Sequence, residues 1–271
     1  MSQVQPTVVI VGAGPTGVTT ATLLAQYGVA TTVLDRWAGV YPQPRAVHLD
    51  DEVHRIINRV GVGEQFAAIS RPALGLRLID PKLTVLAEFR RDPNQDRNGY
   101  PSANMFDQPV LEGLLRANLA RHPDVNLRGN VEVTDVAPAG DRIRITFTDR
   151  DDGAGHSIDA DYLLGCDGAN SLVRTSIGSA MADLRFEQRW LVIDVASTAE
   201  LEQWDGVHQL CDSRRAGTFM RIGGDRYRWE FRLLDGEAAE DFRGMDALRP
   251  LIAPWTGRVD ESRLEIIRVA E

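Results

Sequence analysis

The chain has 271 residues, 43% of them apolar and 25% charged, with a formal net charge of −9. That length buries one large core or two modest ones, in the composition of an ordinary globular protein. The acidic balance argues against a nucleic-acid or anionic-membrane partner, either of which wants a basic face.

Cys166 and Cys211 show neither metal-ligand spacing nor a disulfide framework, which suits a reducing cytoplasm. No apolar stretch approaches the roughly 18 residues of a membrane span. The apolar run Val8 to Val11 ends in glycine and reads as a strand, not as part of a signal peptide.

Along the chain, "TVVIV" is a continuous apolar strand of the kind buried on both faces of a parallel sheet. A helix follows from about Thr16 to Tyr27, with Gly28 where a C-terminal cap belongs. "ATTVLD" is the second strand. After a loop rich in proline and arginine, "DEVHRIINRVG" is a helix with Val53, Ile56, Ile57 and Val60 at helical spacing. Short strands are expected over 74–90. "DQPVLEGLLRANLARH" then gives an amphipathic helix whose stripe is Val110, Leu111, Leu114, Leu115 and Leu119. "DRIRITFTD" alternates strictly, with Ile143, Ile145 and Phe147 on one face, and residues 161–165 form a short buried strand.

From about residue 185 the texture changes to long alternating strands: "RWLVIDVAS", "AGTFMRI" and "DRYRWEFRLL". In the last, Tyr227, Trp229, Phe231 and Leu233 share one face, and Arg226, Arg228, Glu230 and Arg232 the other. An antiparallel sheet with one covered face is the natural reading. The expected division is a nucleotide-binding domain over 1–184, with a β insert at about 70–105, and a sheet domain over 185–271.

Gly12, Gly14 and Gly17 form G-x-G-x-x-G between a strand and a helix, and Asp35 closes the second strand. Gly12 permits the tight turn, Gly14 lets a pyrophosphate approach the backbone, and Gly17 lets helix and strand pack closely. The helix N-terminus then faces the phosphates, while Asp35 accepts from ribose hydroxyls and disfavours a 2′-phosphate. A tight turn without a ligand is the alternative. NAD and FAD share the ADP half and are not separated by this unit.

A second turn, "GCDGANSLVR", also joins a strand to a helix. Asp167 there could bond a sugar hydroxyl and Gly168 could let backbone N–H groups approach a ligand. Alternatively, Asp167 simply caps the helix.

Together, G-A-G-P-T-G and D-G-A-N-S-x-V-R resemble the flavoprotein aromatic hydroxylases, the single-component FAD-dependent monooxygenases. "PRAVHLDDE", "DQPVLEGLL", "FEQRWLVIDV" and "RYRWEFRLL" extend the resemblance along the chain, the last two toward the 3-(3-hydroxyphenyl)propionate and 3-hydroxycinnamate hydroxylase branch. The resemblance implies a mixed α/β fold: a Rossmann-like FAD-binding domain with an inserted or appended, mainly antiparallel β-sheet substrate domain. It implies FAD held by Gly12, Gly14, Pro15, Thr16, Gly17, Asp35 and Arg36, with Arg45 near the flavin, Gln108 at its ribityl chain, and Asp167 and Gly168 meeting both FAD and the entering NADH or NADPH. The implied reaction places one O2-derived oxygen ortho to the hydroxyl of a small phenol, through a flavin C4a-hydroperoxide. The chemistry is then mainly the cofactor's.

His48 is the candidate for deprotonating the phenol, since its side chain titrates near neutrality; a loop histidine that merely packs is the alternative. Trp190 and Trp229, with Tyr227, are candidates for an aromatic pocket, although such a stripe is more commonly core. Arg221 is the candidate for a substrate carboxylate, with Arg189 and Arg215 behind it. The run "RRDPNQDRN" reads as a solvated loop, and no metal cluster or nucleophilic cysteine is expected.

The family's third fingerprint, a G-D-A-A-H-like turn, is expected some tens of residues beyond "RLEIIRVAE", and the sequence stops at Glu271. Up to that point the chain is expected to hold FAD less completely than the whole family fold. A reductase or epoxidase on the same scaffold, and a non-catalytic nucleotide-binding fragment, are the other readings. A halogenase would carry W-x-W-x-I-P, which "YRWEF" does not match. Neither NADH over NADPH nor an oligomeric state, a homodimer included, is marked by any motif.

Overall fold

The computed structural model describes residues 6–43, 45–93 and 98–271. In chain order the elements begin with β1 (Val8–Val11), α1 (Pro15–Gln26), β2 (Thr31–Leu34), β3 (His48–Leu49), α2 (Asp51–Arg59) and α3 (Gly63–Ile69). Next come β4 (Arg71–Pro72), β5 (Gly75–Ile79), β6 (Val85–Arg90), β7 (Asn104–Met105) and α4 (Gln108–Leu119). β8 (Val125–Arg128), β9 (Val131–Ala139), β10 (Arg142–Asp149), β11 (Gly155–Ala160), β12 (Tyr162–Gly165) and α5 (Leu172–Ser176) follow. β13 (Trp190–Ser197), β14 (Val207–Leu210), β15 (Gly217–Gly223), β16 (Arg226–Arg232), α6 (Met245–Thr256) and β17 (Leu264–Ala270) complete the chain.

The fold is mixed α/β, as expected, in two compact units. One comprises 1–44, 56–66 and 108–183, the other 45–55, 67–107 and 184–271. The segment expected as an insert in the first domain therefore clusters with the later sheet instead. The reason is strand pairing: β5 runs parallel beside β14, from Leu76 opposite Val207 to Ile79 opposite Leu210.

In the first unit a parallel sheet runs in the order β12-β1-β2-β8. β1 is buried along its whole length, as a central parallel strand requires. β12 is an edge strand with Tyr162 60% exposed and none of its residues buried, so the expectation of a short buried strand there is corrected. A three-stranded antiparallel sheet, β11-β10-β9, supplies Val131, Ile145, Phe147 and Ala160 to a core shared with Val9 and Leu34.

α4 buries Gln108, Leu111, Glu112, Leu115, Asn118 and Leu119, while Val110 is exposed. Leu111, Leu115 and Leu119 keep the expected stripe, but the buried face is turned by about 50°, half a residue step, toward Gln108, Glu112 and Asn118. Polar Gln108 and Glu112 occupy it because they satisfy each other, Nε2 donating to Oε1 at 2.6 Å. Ile57 in α2 and Val60 just past its end are buried at the expected spacing, but Val53 faces solvent.

The second unit is built on a seven-stranded sheet in the order β17-β13-β16-β15-β14-β5-β6. Tyr227, Trp229 and Phe231 lie on the face covered by α6, among Phe219, Leu248, Ile252 and Trp255. The opposite face is not simply solvated. There Met220 and Ile222 pack with Ala73, Ala103 and Met105, and Arg228 and Asp194 are buried as a pair. The hairpin-like pairing of the short strands β3-β7-β4 supplies Met105 to that second layer.

His208 on β14 is buried, and its Nδ1 accepts the indole N–H of Trp255 at 3.1 Å. Burial first, and the Arg77 cation second, push its pKa down to about 4. A charged imidazole would carry a proton on Nδ1 facing another N–H, so the neutral form is the one the fold accepts. Because the folded pKa lies below the unfolded value, this stability is complete above the unfolded pKa and lost as pH falls toward about 4. The expected loss at the acid end is about 3 kcal/mol. Urea unfolding followed by tryptophan fluorescence across that range tests it, and His208→Phe should flatten the dependence.

Candidate nucleotide site

The carboxyl ends of three adjacent parallel strands carry the predicted residues of the first unit. Gly12 follows β1, Asp35 follows β2, and Asp167 follows β12. Such ends are where open parallel sheets take ligands.

The two turns found in the sequence touch. Cys166 N–H donates to Val11 O at 2.8 Å, and a Cβ on Gly12 would lie 2.3 Å from Cys166 O. Gly12 also has φ +101°, which an L side chain resists. A Cβ on Gly17 would lie 1.9 Å from Gly12 O, so only glycine lets α1 start this close to the turn. Gly14 differs: its φ is −71° and a Cβ there meets nothing within 4 Å. The fold does not need glycine at that position, whereas a ligand approaching the backbone would.

Gly14 is the N-cap of α1 and makes no side-chain cap bond, with Pro15 in the first turn. Pro15 contributes no N–H, and the first turn of a helix leaves its amides, here Thr16 and Gly17, without intrahelical acceptors. The helix start is thus an uncapped donor set beside open space, which fits a pyrophosphate.

Asp35 is 8% exposed. Its Oδ2 accepts Ala13 N–H at 2.6 Å and its Oδ1 accepts Trp37 N–H at 2.8 Å. Each carboxylate oxygen keeps a second lone pair for a ribose hydroxyl. Arg36 pairs with Glu132 on β9, Nη2 to Oε1 at 2.6 Å. Arg116 on α4 donates from Nη2 to Ala13 O at 3.0 Å and stands 4.0 Å from Asp35 Oδ1. Nothing in the sequence marks Arg116: it is one arginine on an amphipathic helix, and its partner lies 103 residues earlier.

At the second turn, Asp167 Oδ1 accepts Ser171 Oγ–H at 2.6 Å and Oδ2 accepts Val173 N–H at 3.2 Å. Ser171 itself caps α5 by accepting Arg174 N–H. The carboxylate thus shapes the turn and the start of α5. Gly168 takes φ +82°, the left-handed conformation that favours glycine.

Gln108, also in the first unit, opens α4 and is buried beside Glu112; the remaining candidates lie in the second unit. Arg45 is exposed, and its carbonyl accepts from Arg228 Nη1 at 3.4 Å. His48 is an exposed residue on β3 with Nε2 3.3 Å from Arg91 Nη1. Partial desolvation of the ring, then the Arg91 cation, hold its pKa below the ordinary histidine value, against an opposing pull from Asp50. The imidazole is therefore neutral at pH 7 and able to accept a proton. Trp190 is half-buried at the start of β13. Trp229 is fully buried against Phe219, ring centroids 5.0 Å apart, which is a core placement. Arg221 donates to Gly224 O from Nε at 2.9 Å and pairs with Glu200. Arg215 pairs with Glu237 and Arg189 with Glu271. Within "RRDPNQDRN", residues 94–97 lie outside the described residues.

Among the described residues no group of three or more His, Cys, Asp or Glu could hold a metal ion, and no helix is long and apolar enough to cross a membrane.

A model of the FAD binding domain family matches residues 5–244. The 3-(3-hydroxy-phenyl)propionate/3-hydroxycinnamic acid hydroxylase of Burkholderia cenocepacia (strain HI2424) is 34% identical over 261 residues, 96% of this chain and 47% of that protein. The probable NADH-specific resorcinol 4-hydroxylase of Rhodococcus jostii (strain RHA1) is 32% identical over 264 residues, 97% of this chain and 49% of that protein. The chain spans about half the length of these curated relatives. Its fold is similar to that of p-nitrophenol 4-monooxygenase from Pseudomonas putida DLL-E4, with a TM-score of 0.85 at 20% identity over 99% of this chain and 67% of that one.

Proposed function

Because this chain belongs to the FAD binding domain family, we propose that it works, alone or within a longer protein, in an FAD-dependent aromatic hydroxylase. The reaction would consume NADH or NADPH and O2 and place one oxygen ortho to the hydroxyl of a small phenol. The observation that carries this reading is the contact between the two turns: Gly12 fits only because it has no Cβ to meet Cys166 O. One dinucleotide can then engage both strand ends at once. The relatives named for hydroxyphenylpropionate, hydroxycinnamate and resorcinol support a phenol as the substrate class.

Bound FAD would supply the hydride acceptor and the oxygen carrier. The chain's part is to hold and orient it. The Gly14, Thr16 and Gly17 amides would face the pyrophosphate, and Asp35 would accept from the adenosine ribose. Asp167, Gly168 and Gln108 would meet the flavin half. In the second unit, Arg45 would supply positive charge and Trp190 an aromatic wall for the phenol. His48, neutral at pH 7, would take the phenolic proton at a ring nitrogen.

The test is the visible spectrum of the purified chain with FAD, then with 3-(3-hydroxyphenyl)propionate or resorcinol added. A bound-flavin spectrum that shifts with either phenol is expected. Flavin that stays free in solution would overturn the FAD assignment. Bound flavin indifferent to both phenols would remove the proposed substrate class and leave the cofactor.

A further inference from the structure

We infer that Arg116 is a positioning residue of the nucleotide site, fixing the Ala13–Gly14 peptide so that the Gly14 N–H faces the pyrophosphate. The inference rests on the FAD reading above and adds a residue that neither the sequence motifs nor the family resemblance assigns.

The glycine-rich loop consists of successive peptide planes, and the first two are tied down within the fold. Gly12 N–H donates to Leu34 O at 2.8 Å, and Ala13 N–H donates to Asp35 Oδ2 at 2.6 Å. The third plane joins Ala13 to Gly14. Its carbonyl is held by Arg116 Nη2 at 3.0 Å. Every peptide bond here is trans, so the C=O and N–H of one plane point in opposite directions. Anchoring the Ala13 carbonyl toward α4 therefore turns the Gly14 N–H away from it.

That anchor matters because Gly14 has no Cβ to resist rotation of the plane. A flipped plane would offer the phosphates a carbonyl oxygen in place of a donor, and two negative partners repel. Arg116 stands no nearer than 4.0 Å to Asp35 Oδ1, and that carboxylate is fixed by the Ala13 and Trp37 N–H groups, so the arginine acts on the carbonyl and not on the ribose acceptor.

The arginine is poorly explained as a stabilising residue. Its side chain is 13% exposed, and its Nε is buried with no hydrogen-bond partner among the described residues. A donor left unmade is a cost to the fold that an apolar side chain would not carry.

The whole 271-residue chain is titrated with FAD by flavin fluorescence, and with ADP and adenosine in competition. Arg116→Met should weaken FAD and ADP at least about tenfold, since a charge-oriented donor to phosphate is lost. Adenosine, which has no pyrophosphate, should bind as before, and the melting temperature should hold. Arg116→Lys, still able to reach a carbonyl, should recover most of the affinity. Should the methionine variant not fold, Arg116→Gln, polar but too short to reach Ala13, is expected to show the same selective loss. Equal losses for all three ligands with a lower melting temperature would mean a merely structural role and overturn the inference. Unchanged FAD and ADP binding in Arg116→Met would overturn it too. Failure of the unaltered chain to bind either FAD or ADP would remove the FAD reading itself, a different and separately visible result.

Discussion

Gly14→Ala is expected to leave the stability of the chain unchanged while weakening FAD at least about tenfold, and Gly17→Ala to destabilise it by about 3 kcal/mol and abolish binding. The contrast follows from what each new methyl meets. At Gly14 it enters open space with a backbone conformation any residue adopts, so the folded chain has no reason to object. The same open space is where a pyrophosphate would approach the helix start, and the methyl would hold it off. At Gly17 the methyl would stand 1.9 Å from Gly12 O, so α1 must move away from the turn that positions it. Thermal melts beside flavin titrations separate the two effects. An unchanged FAD affinity in Gly14→Ala would show that the nucleotide does not use this loop.

Asp194→Ala is expected to cost about 3–5 kcal/mol, because it leaves a charge buried without its partner. Arg228 is 2% exposed and grips Asp194, itself fully buried, through Nε at 2.6 Å and Nη2 at 2.9 Å. The two residues face each other across β13 and β16, both interior strands of the seven-stranded sheet. The double variant Asp194→Leu with Arg228→Met should lose much less than Asp194→Ala alone, since both charges go together. Urea unfolding of the two variants beside the unaltered chain measures this. A double variant as unstable as the single one would show that the pair is not the source of the cost.

Much of the first unit is legible in the sequence because its signals are local. The apolar run of β1, the glycine spacing and the acid ending β2 all lie within 30 residues, and each has one physical reading. The second turn is legible as a strand-to-helix junction, but its placement beside the first depends on β12 pairing with β1 across the whole unit. What escapes sequence reading is whatever needs a distant partner. Arg116 looks like any helical arginine until Ala13 is brought to it. Arg228 sits in an alternating strand where charge predicts solvent, and its two-point grip on Asp194 from the neighbouring strand goes far to make its burial tolerable. The stripe of α4 is legible at Leu111, Leu115 and Leu119, but not at Gln108 and Glu112, which can be inside because they bond one another.

The chain passes between its two compact units at five places, after residues 44, 55, 66, 107 and 183. Neither unit is therefore a single run of the gene. A cut after residue 183 would strand the β5–β6 pair without β14, leaving open strand edges on both pieces. A single recombination event cannot exchange one unit for that of a relative, because every joint would split a paired sheet or a helix such as α2. Trading one unit for a relative's would need several joints made at once, so the two do not behave as modules that a single cut and splice can separate.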